Sequence, residues 1–353
     1  STGGVDDNGT STDGKEDKVF NNKITPPETP DFQPEKFVLN KEKYDITGTK
    51  LVDDDNELNN EYTETNADPY ADKTTNNEAE NINTKTVERG EKLVYQVWLD
   101  TRNFSDKNNI QSVGVSDTYD AEKVTVNAAD IKAYDSVTGQ DVTAKFDIKV
   151  ENGVLYGTSK ASLTKAISAT DATPVIDTTK FEFGRYYKFD IPAVVKDIDA
   201  NDGVDIENTA NQTIHQYNPF NKKVTTPEKP TQTRENNVPV PLEFNFTKRL
   251  EGRELTAGEF SFLLKDQDGK VLQTVSNDKD GHIKFEQLLF SKADLGKTFT
   301  YTVEEVIPTT KEVGMTYDTM KATITVKVAK NGHTLTTVTV SYTHLTLPTN
   351  REV

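Results

Sequence analysis

The sequence has no cysteine. Small extracellular domains commonly lean on disulfides when their cores are modest, so this chain must find another staple or do without. It also lacks any stretch approaching about 18 consecutive apolar residues, which leaves no helix able to span a bilayer. Hydrophobic residues make up only 33% of the 353 positions. That is little for one compact globule and fits small extended domains with polar linkers. Basic residues are outnumbered, 41 against 58 acidic, for a formal net charge of −17. Such a surface repels phosphate backbones and anionic membranes, which excludes nucleic acid and membrane insertion as expected partners. The four histidines, His215, His282, His333 and His344, are scattered without metal-ligand spacing. No glycine-rich phosphate loop and no Gly-x-Ser-x-Gly elbow occurs, so an extracellular hydrolase finds no support. No signal peptide opens the chain at Ser1-Thr2-Gly3-Gly4, which reads as a mature fragment.

What is present is organised. Residues 1–32 are polar, then proline-rich, and read as a disordered linker, the tail of an upstream domain. Phe20-Asn21-Asn22-Lys23-Ile24-Thr25-Pro26-Pro27-Glu28-Thr29-Pro30 recurs as Phe220-Asn221-Lys222-Lys223-Val224-Thr225-Thr226-Pro227-Glu228-Lys229-Pro230, 200 positions later. This is an internal repeat. Each copy is expected to close one domain and begin a semi-rigid linker, the second spanning 219–238. Between the copies, 33–218 reads as one β domain, and 239–342 as a second.

Strand signals dominate both domains. Leu93, Tyr95, Val97 and Leu99 alternate with Val94, Gln96, Trp98 and Asp100, and Val113, Val115 and Asp117 alternate with Gly114 and Ser116. Glu151-Asn152-Gly153 joins two such runs as a hairpin turn. In the second domain Asp266-Gln267-Asp268-Gly269 and Asp278-Lys279-Asp280-Gly281 are turns between strands. The expected fold is all-β: tandem immunoglobulin-like sandwiches joined by a proline-rich linker. Val52 to Asn59 and the Asn-rich stretch to Glu80 are expected as loop or short helix.

Two residues of the second domain sit oddly in this pattern. Phe244, Phe246, Lys248 and Leu250 share one face, and Glu305 continues the face of Phe299, Tyr301 and Val303. An amine on an apolar face is pushed toward its neutral, nucleophilic form, and a carboxyl there tends to stay protonated. Attack by such an amine on an asparagine amide would release ammonia and leave an isopeptide bond, with fixed geometry supplying the rate.

The segment Val240 to Lys248, with Phe299 to Val306, resembles the streptococcal pilin isopeptide-linkage domain over about 239–342. The resemblance implies Lys248 as nucleophile and Glu305 as assisting acid. The family's asparagine on the last strand does not carry over. After Tyr342 the chain runs Thr343-His344-Leu345-Thr346-Leu347-Pro348-Thr349-Asn350-Arg351-Glu352-Val353, which resembles translated adapter sequence and reads as a foreign tail. The second domain is therefore expected to be truncated and its bond unable to form, Asn350 being a poor substitute. Leu347-Pro348-Thr349-Asn350 is similar to a wall-sorting signal but lacks the rest of one.

The first domain opens with Pro34-Glu35-Lys36-Phe37-Val38-Leu39-Asn40, carries Val113-Gly114-Val115-Ser116-Asp117-Thr118-Tyr119-Asp120 in its middle, and closes with Ile206-Glu207-Asn208-Thr209-Ala210-Asn211-Gln212. It resembles the C-terminal stalk domains of the streptococcal antigen I/II surface adhesins. The resemblance implies an isopeptide bond from Lys36 to Asn208, assisted by Asp117. Lys41 and Lys43 are alternative nucleophiles, Asp120 and Asn211 alternative partners. It also implies possible calcium binding, for which Asp53-Asp54-Asp55-Asn56-Glu57 offers hard oxygen ligands, though not at EF-hand spacing. No cofactor is required. The function so implied is a monomeric stalk module of a wall-anchored adhesin, extracellular, serving attachment to host surface, matrix or salivary proteins or to other bacteria. The alternative is a domain that itself grips a host protein or glycan. No turnover enzyme is expected.

Overall fold

The computed structural model describes residues 17–23, 25–43, 50–52, 61–63, 82–160, 164–168 and 171–346, with backbone alone for 50–52, 61–63, 164–168, 171–174 and 344–346. Strand accounts for 49% of the chain and helix for 5%. The expected all-β class stands, as tandem immunoglobulin-like sandwiches.

In the first sandwich one sheet runs Glu35–Leu39, Lys92–Asp100, Tyr186–Val195, with Val124–Val126 and Lys132–Asp135 along the last of these. The facing sheet runs Asp205–Asn218, Ile110–Thr118, Val154–Ser159, Phe146–Glu151. All these pairs are antiparallel. The alternation seen in the sequence decides which side faces inward: Leu93, Tyr95, Val97 and Leu99 enter the main core, where Val113, Val115, Ile206, Ala210 and Ile214 meet them from the other sheet. Full burial of each Val or Leu contributes about 1.5–3 kcal/mol. The first sheet is also covered on its other side, where Phe37, Leu39, Trp98 and Tyr186 form a second cluster. The turn at Asn152-Gly153 has both residues at positive φ, 51° and 76°, as a tight hairpin requires.

The proline-rich stretch 219–238 connects the domains as structure rather than as free chain. Asp205–Asn218 is 14 residues long. That length seats three short strands in succession along one edge: Lys223–Thr225, Glu228–Pro230 and Arg234–Asn237. The earlier copy of the repeat is also held at its end. The carbonyl of Glu28 accepts from Asn108 and Gln216 side chains, and Phe32 is buried against Phe104. Residues 28–32, read from sequence as linker, therefore pack on the first sandwich.

The second sandwich has a five-stranded antiparallel sheet in the order Val271–Ser276, Ser261–Lys265, Thr298–Glu305, Met320–Asn331, Thr334–Thr346. Two short pairs face it: Val240–Leu242 with Leu288–Phe290, and Asn245–Thr247 with His282–Lys284. Phe244, Phe260, Leu264, Phe285, Val326 and their neighbours fill the space between. Residues 343–346, read as foreign tail, continue the last strand by backbone pairing to Met320–Thr323. The two sandwiches touch where Leu335 N–H donates to the carbonyl of Gly203 at 2.8 Å.

Candidate functional site

Lys36 is the second residue of the opening strand, and all five residues of that strand are buried. Its side chain shares the inward face with Val38. Asp117 is on Ile110–Thr118 and continues the inward face of Val113 and Val115. Asn208 is on the neighbouring strand, where Ala210 stands opposite Asp117, so Asn208 lies two residues along on the same face. One sheet thus delivers the amine and the other delivers the acid and the amide. Lys36 Nζ is 2.8 Å from Asp117 Oδ2 and also donates to Asn208 Oδ1. Exposures are 0%, 1% and 3% for Lys36, Asp117 and Asn208. The Tyr95 ring lies 4.8 Å from the amine.

Burial pushes the Lys36 amine down from its ordinary 10.5. The Asp117 carboxylate pulls it back up, and the Arg234 cation adds to the downward push. Burial also raises the Tyr95 phenol, with the charge of Asp117 acting in the same sense. A buried pocket that favours a neutral amine beside a carboxamide can support acyl transfer from nitrogen to nitrogen.

Two further residues touch this site that sequence reasoning missed. Lys36 N–H donates to Gln232 Oε1 at 3.1 Å, and Arg234 Nε donates to the Lys36 carbonyl at 2.7 Å. Arg234 is only 1% exposed. Both sit in Thr231-Gln232-Thr233-Arg234, a polar run that carries no apolar period to mark it as buried.

In the second sandwich the structure brings Lys248 and Glu305 together. Lys248 Nζ is 2.9 Å from Glu305 Oε1, with side-chain exposures of 12% and 2%. The amine also lies 4.4 Å from the Phe260 ring. Glu305 Oε2 accepts from the Asp318 N–H. No carboxamide among the described residues bonds this amine, and a cavity of about 280 Å³ lies beside it, lined by Phe246, Phe262, Val303 and Met320.

The alternative residues are engaged elsewhere. Lys41 pairs with Asp190 at 3.0 Å, Asp120 holds the turn at Glu122, and Asn211 faces Ser116 and Pro230 across its strand. Lys43 is exposed. The acidic run Asp53–Glu57 and Asn350 lie outside the described residues. Among the described residues one trio, Asp278, Asp280 and His282, could bring three ligand atoms within 4.8 Å. All three are exposed, and Asp278 Oδ1 already accepts the Asp280 and His282 amides of its turn.

Comparison with known proteins agrees with both resemblances. Residues 71–228 match the family model of the cell surface antigen I/II C2 terminal domain. Residues 244–352 match that of the Spy0128-like isopeptide containing domain. The chain is 29% identical over 152 residues to the aggregation substance of Enterococcus faecalis, covering 37% of this chain and 10% of that protein. It thus spans about a tenth of that relative's length. Among solved structures it is similar to BcpA, the major pilin subunit of Bacillus cereus, at 16% identity and a TM-score of 0.37 over 96% of this chain and 73% of that one. It is also similar to the C-terminal domain of the Streptococcus pyogenes antigen I/II-family protein AspA, at 13% identity and a TM-score of 0.36 over 89% of this chain and 99% of that one. The matched families are structural domains of surface adhesins and pili, not enzymes. No helix among the described residues is long and apolar enough to cross a membrane.

Proposed function

We propose that this chain is a load-bearing stalk module of a wall-anchored bacterial adhesin, and that its first sandwich is closed by an isopeptide bond between Lys36 and Asn208. The observation that carries the reading is the buried contact of one amine with both an acid and a carboxamide, drawn from two facing sheets. The neutral Lys36 Nζ attacks Asn208 Cγ. Asp117, 2.8 Å from the amine, takes up the proton that the attacking nitrogen loses. It then carries that proton to the departing Nδ2. The Nζ–Cγ bond forms, the Cγ–Nδ2 bond breaks, and ammonia leaves. Asp117 ends as it began, so the reaction runs once per chain.

The bond would join residues 172 positions apart. It would tie the opening strand to the closing strand, so tension entering at one end leaves at the other without loading the strands between. Unlike a disulfide it survives reducing conditions, which fits a chain without cysteine. The second sandwich holds the amine and the acid, and is expected to stay unlinked. In the parent adhesin the module would hold a distal head away from the wall, where it meets host or bacterial surfaces.

Intact mass measures this directly. The wild type is expected to weigh one ammonia less than its sequence. Lys36→Ala, Asp117→Ala and Asn208→Ala are each expected to restore the full mass, and Lys248→Ala to leave the deficit unchanged. A wild type at full mass would overturn the reading.

A further inference from the structure

Among the described residues the opening strand lies at the edge of its sheet, its one partner strand being Lys92–Asp100. An edge residue whose N–H and C=O point outward needs partners from elsewhere. At Lys36 those partners are side chains. Gln232 accepts from its N–H at 3.1 Å, and Arg234 Nε donates to its carbonyl at 2.7 Å. Gln232 Nε2 also donates to the Glu35 carboxylate, next along the strand. Arg234 in turn stands opposite Asn208 in strand register, on the edge strand Arg234–Asn237. The Arg234 guanidinium lies 5.7 Å from the Phe37 ring, on the residue that follows Lys36. One short segment therefore grips the backbone of the amine-bearing residue and flanks the amide-bearing one.

We propose that Gln232 and Arg234 are positioning residues for the Lys36–Asn208 bond: they fix the opening strand at the register where the amine meets the amide, so that bond formation waits until segment 231–237 has seated. This rests on the crosslink reading above. It also gives the reaction an order. The segment lies after Asn208 in the chain and leads directly into the second sandwich. An emerging chain would then lock its first domain only once the stretch joining it to the next domain is in place.

Arg234 has a second consequence, electrostatic rather than geometric. Among the described residues, Asp117 on Ile110–Thr118 and Tyr95 on Lys92–Asp100 face the Lys36 amine, and Arg234, bonded to the Lys36 carbonyl from its own short strand, acts on it through its charge. Of these only Arg234 carries positive charge, and it disfavours the protonated amine. Removing that charge raises the proton affinity of Lys36 and moves the reaction to higher pH.

The test uses the full chain, recovered unfolded from inclusion bodies in guanidinium chloride and refolded by dilution across a pH series, with ammonia loss followed by intact mass. Trp98 fluorescence reports folding in parallel. Arg234→Met is expected to slow bond formation on the order of tenfold or more and to move the midpoint of its pH–rate profile upward. Arg234→Lys keeps the charge and is expected to restore the midpoint while recovering the rate only in part. Gln232→Ala, which leaves the charges untouched, is expected to slow the reaction a few-fold with the wild-type midpoint. It carries the test if Arg234→Met fails to fold. Wild-type rates in folded Arg234→Met or in Gln232→Ala would overturn the proposal, as would slowing in Arg234→Met with an unmoved midpoint. A wild type that never loses ammonia would instead overturn the crosslink itself.

Discussion

The two sandwiches present the same opening pair of groups in different settings. In the first, Lys36 is 0% exposed and touches both Asp117 and Asn208. In the second, Lys248 keeps 12% side-chain exposure, pairs with Glu305 as its one acidic partner among the described residues, and borders a cavity of about 280 Å³. An amine and an acid at 2.8–2.9 Å are common to both, so proximity of those two groups does not separate them. The difference lies in what the closing strand brings. Asp205–Asn218 runs through the middle of its sheet and carries an amide inward beside the acid. Beside Glu305 the corresponding edge offers the Asp318 amide and the Met320 side chain. On the proposed reading, a third residue and full desolvation are what would turn a lysine–carboxyl contact from an ion pair into a reactive site.

The sharpest way to break that comparison is to remove the amide. Asn208→Ala would prevent the proposed closure of a loop spanning 172 positions, worth about 5 kcal/mol on the chain-entropy account. It also leaves Lys36 and Asp117 as a bare buried pair. Calorimetry is expected to show the first domain's transition falling steeply while the second domain's holds. Equal behaviour of both transitions would mean the first domain was never covalently closed.

A pH series sharpens the comparison further. In Asn208→Ala the Lys36 amine titrates again, with its folded value held below 10.5 by burial. The unfolded state then binds more protons than the folded state at pH values between the two. First-domain stability is therefore expected to rise with pH through that window, by at most about 1.4 kcal/mol per unit. The rise ends near pH 10, where Tyr95 acts oppositely: its phenol, raised by burial, stays protonated in the folded state while the unfolded one ionises. The wild type, whose Lys36 nitrogen the proposed bond would turn into an amide, is expected to lack the rising limb. Denaturant midpoints measured from neutrality to pH 10 check this, and matching curves for wild type and variant would contradict it.

Lys248→Met probes the other half. It strips the Glu305 carboxylate of its cation while leaving the Asp318 N–H on Oε2. A loss of about 1–2 kcal/mol is expected in the second domain, read by denaturant unfolding, with no change in mass. A loss as large as that from Asn208→Ala would show that the second pair also closes a covalent loop.

How far this was legible in the sequence differs between parts of the site. The inward direction of Asp117 followed from Val113 and Val115 four and two residues earlier, and Leu93 to Leu99 gave the core face of their strand. Those are period-2 signals, strong because one face of each sheet is dry. Lys36 and Asn208 are polar residues in strands with no local sign of their pairing, and only family resemblance singled them out. Gln232 and Arg234 were invisible. Their segment is buried because a 14-residue strand offers it an edge, a tertiary cause that leaves no periodic mark in Thr-Gln-Thr-Arg. The same cause turned the proline-rich stretch 219–238 from a spacer into strands.

The smallest expected effect concerns how the two halves are joined. Gly203 has φ of +75°, and a Cβ built there would sit 2.1 Å from the Leu335 carbonyl oxygen. An alanine must therefore adopt a left-handed conformation, at about 1 kcal/mol, and also push the Leu335 backbone away. Leu335 is 5% exposed and belongs to the second core, so it cannot retreat without disturbing that core. The easier response is for the sandwiches to part at this point. The contacts of Lys292 with Glu235 at 2.7 Å and Asp205 at 3.8 Å would then remain as a looser tether. Gly203→Ala is accordingly expected to keep the ammonia deficit and nearly the full stability of the first domain. Small-angle scattering should show a broader spread of interdomain arrangements. Unchanged scattering would mean that the Leu335–Gly203 contact does not hold the joint, and that the stiffness of the pair comes from the strands of 219–238 alone.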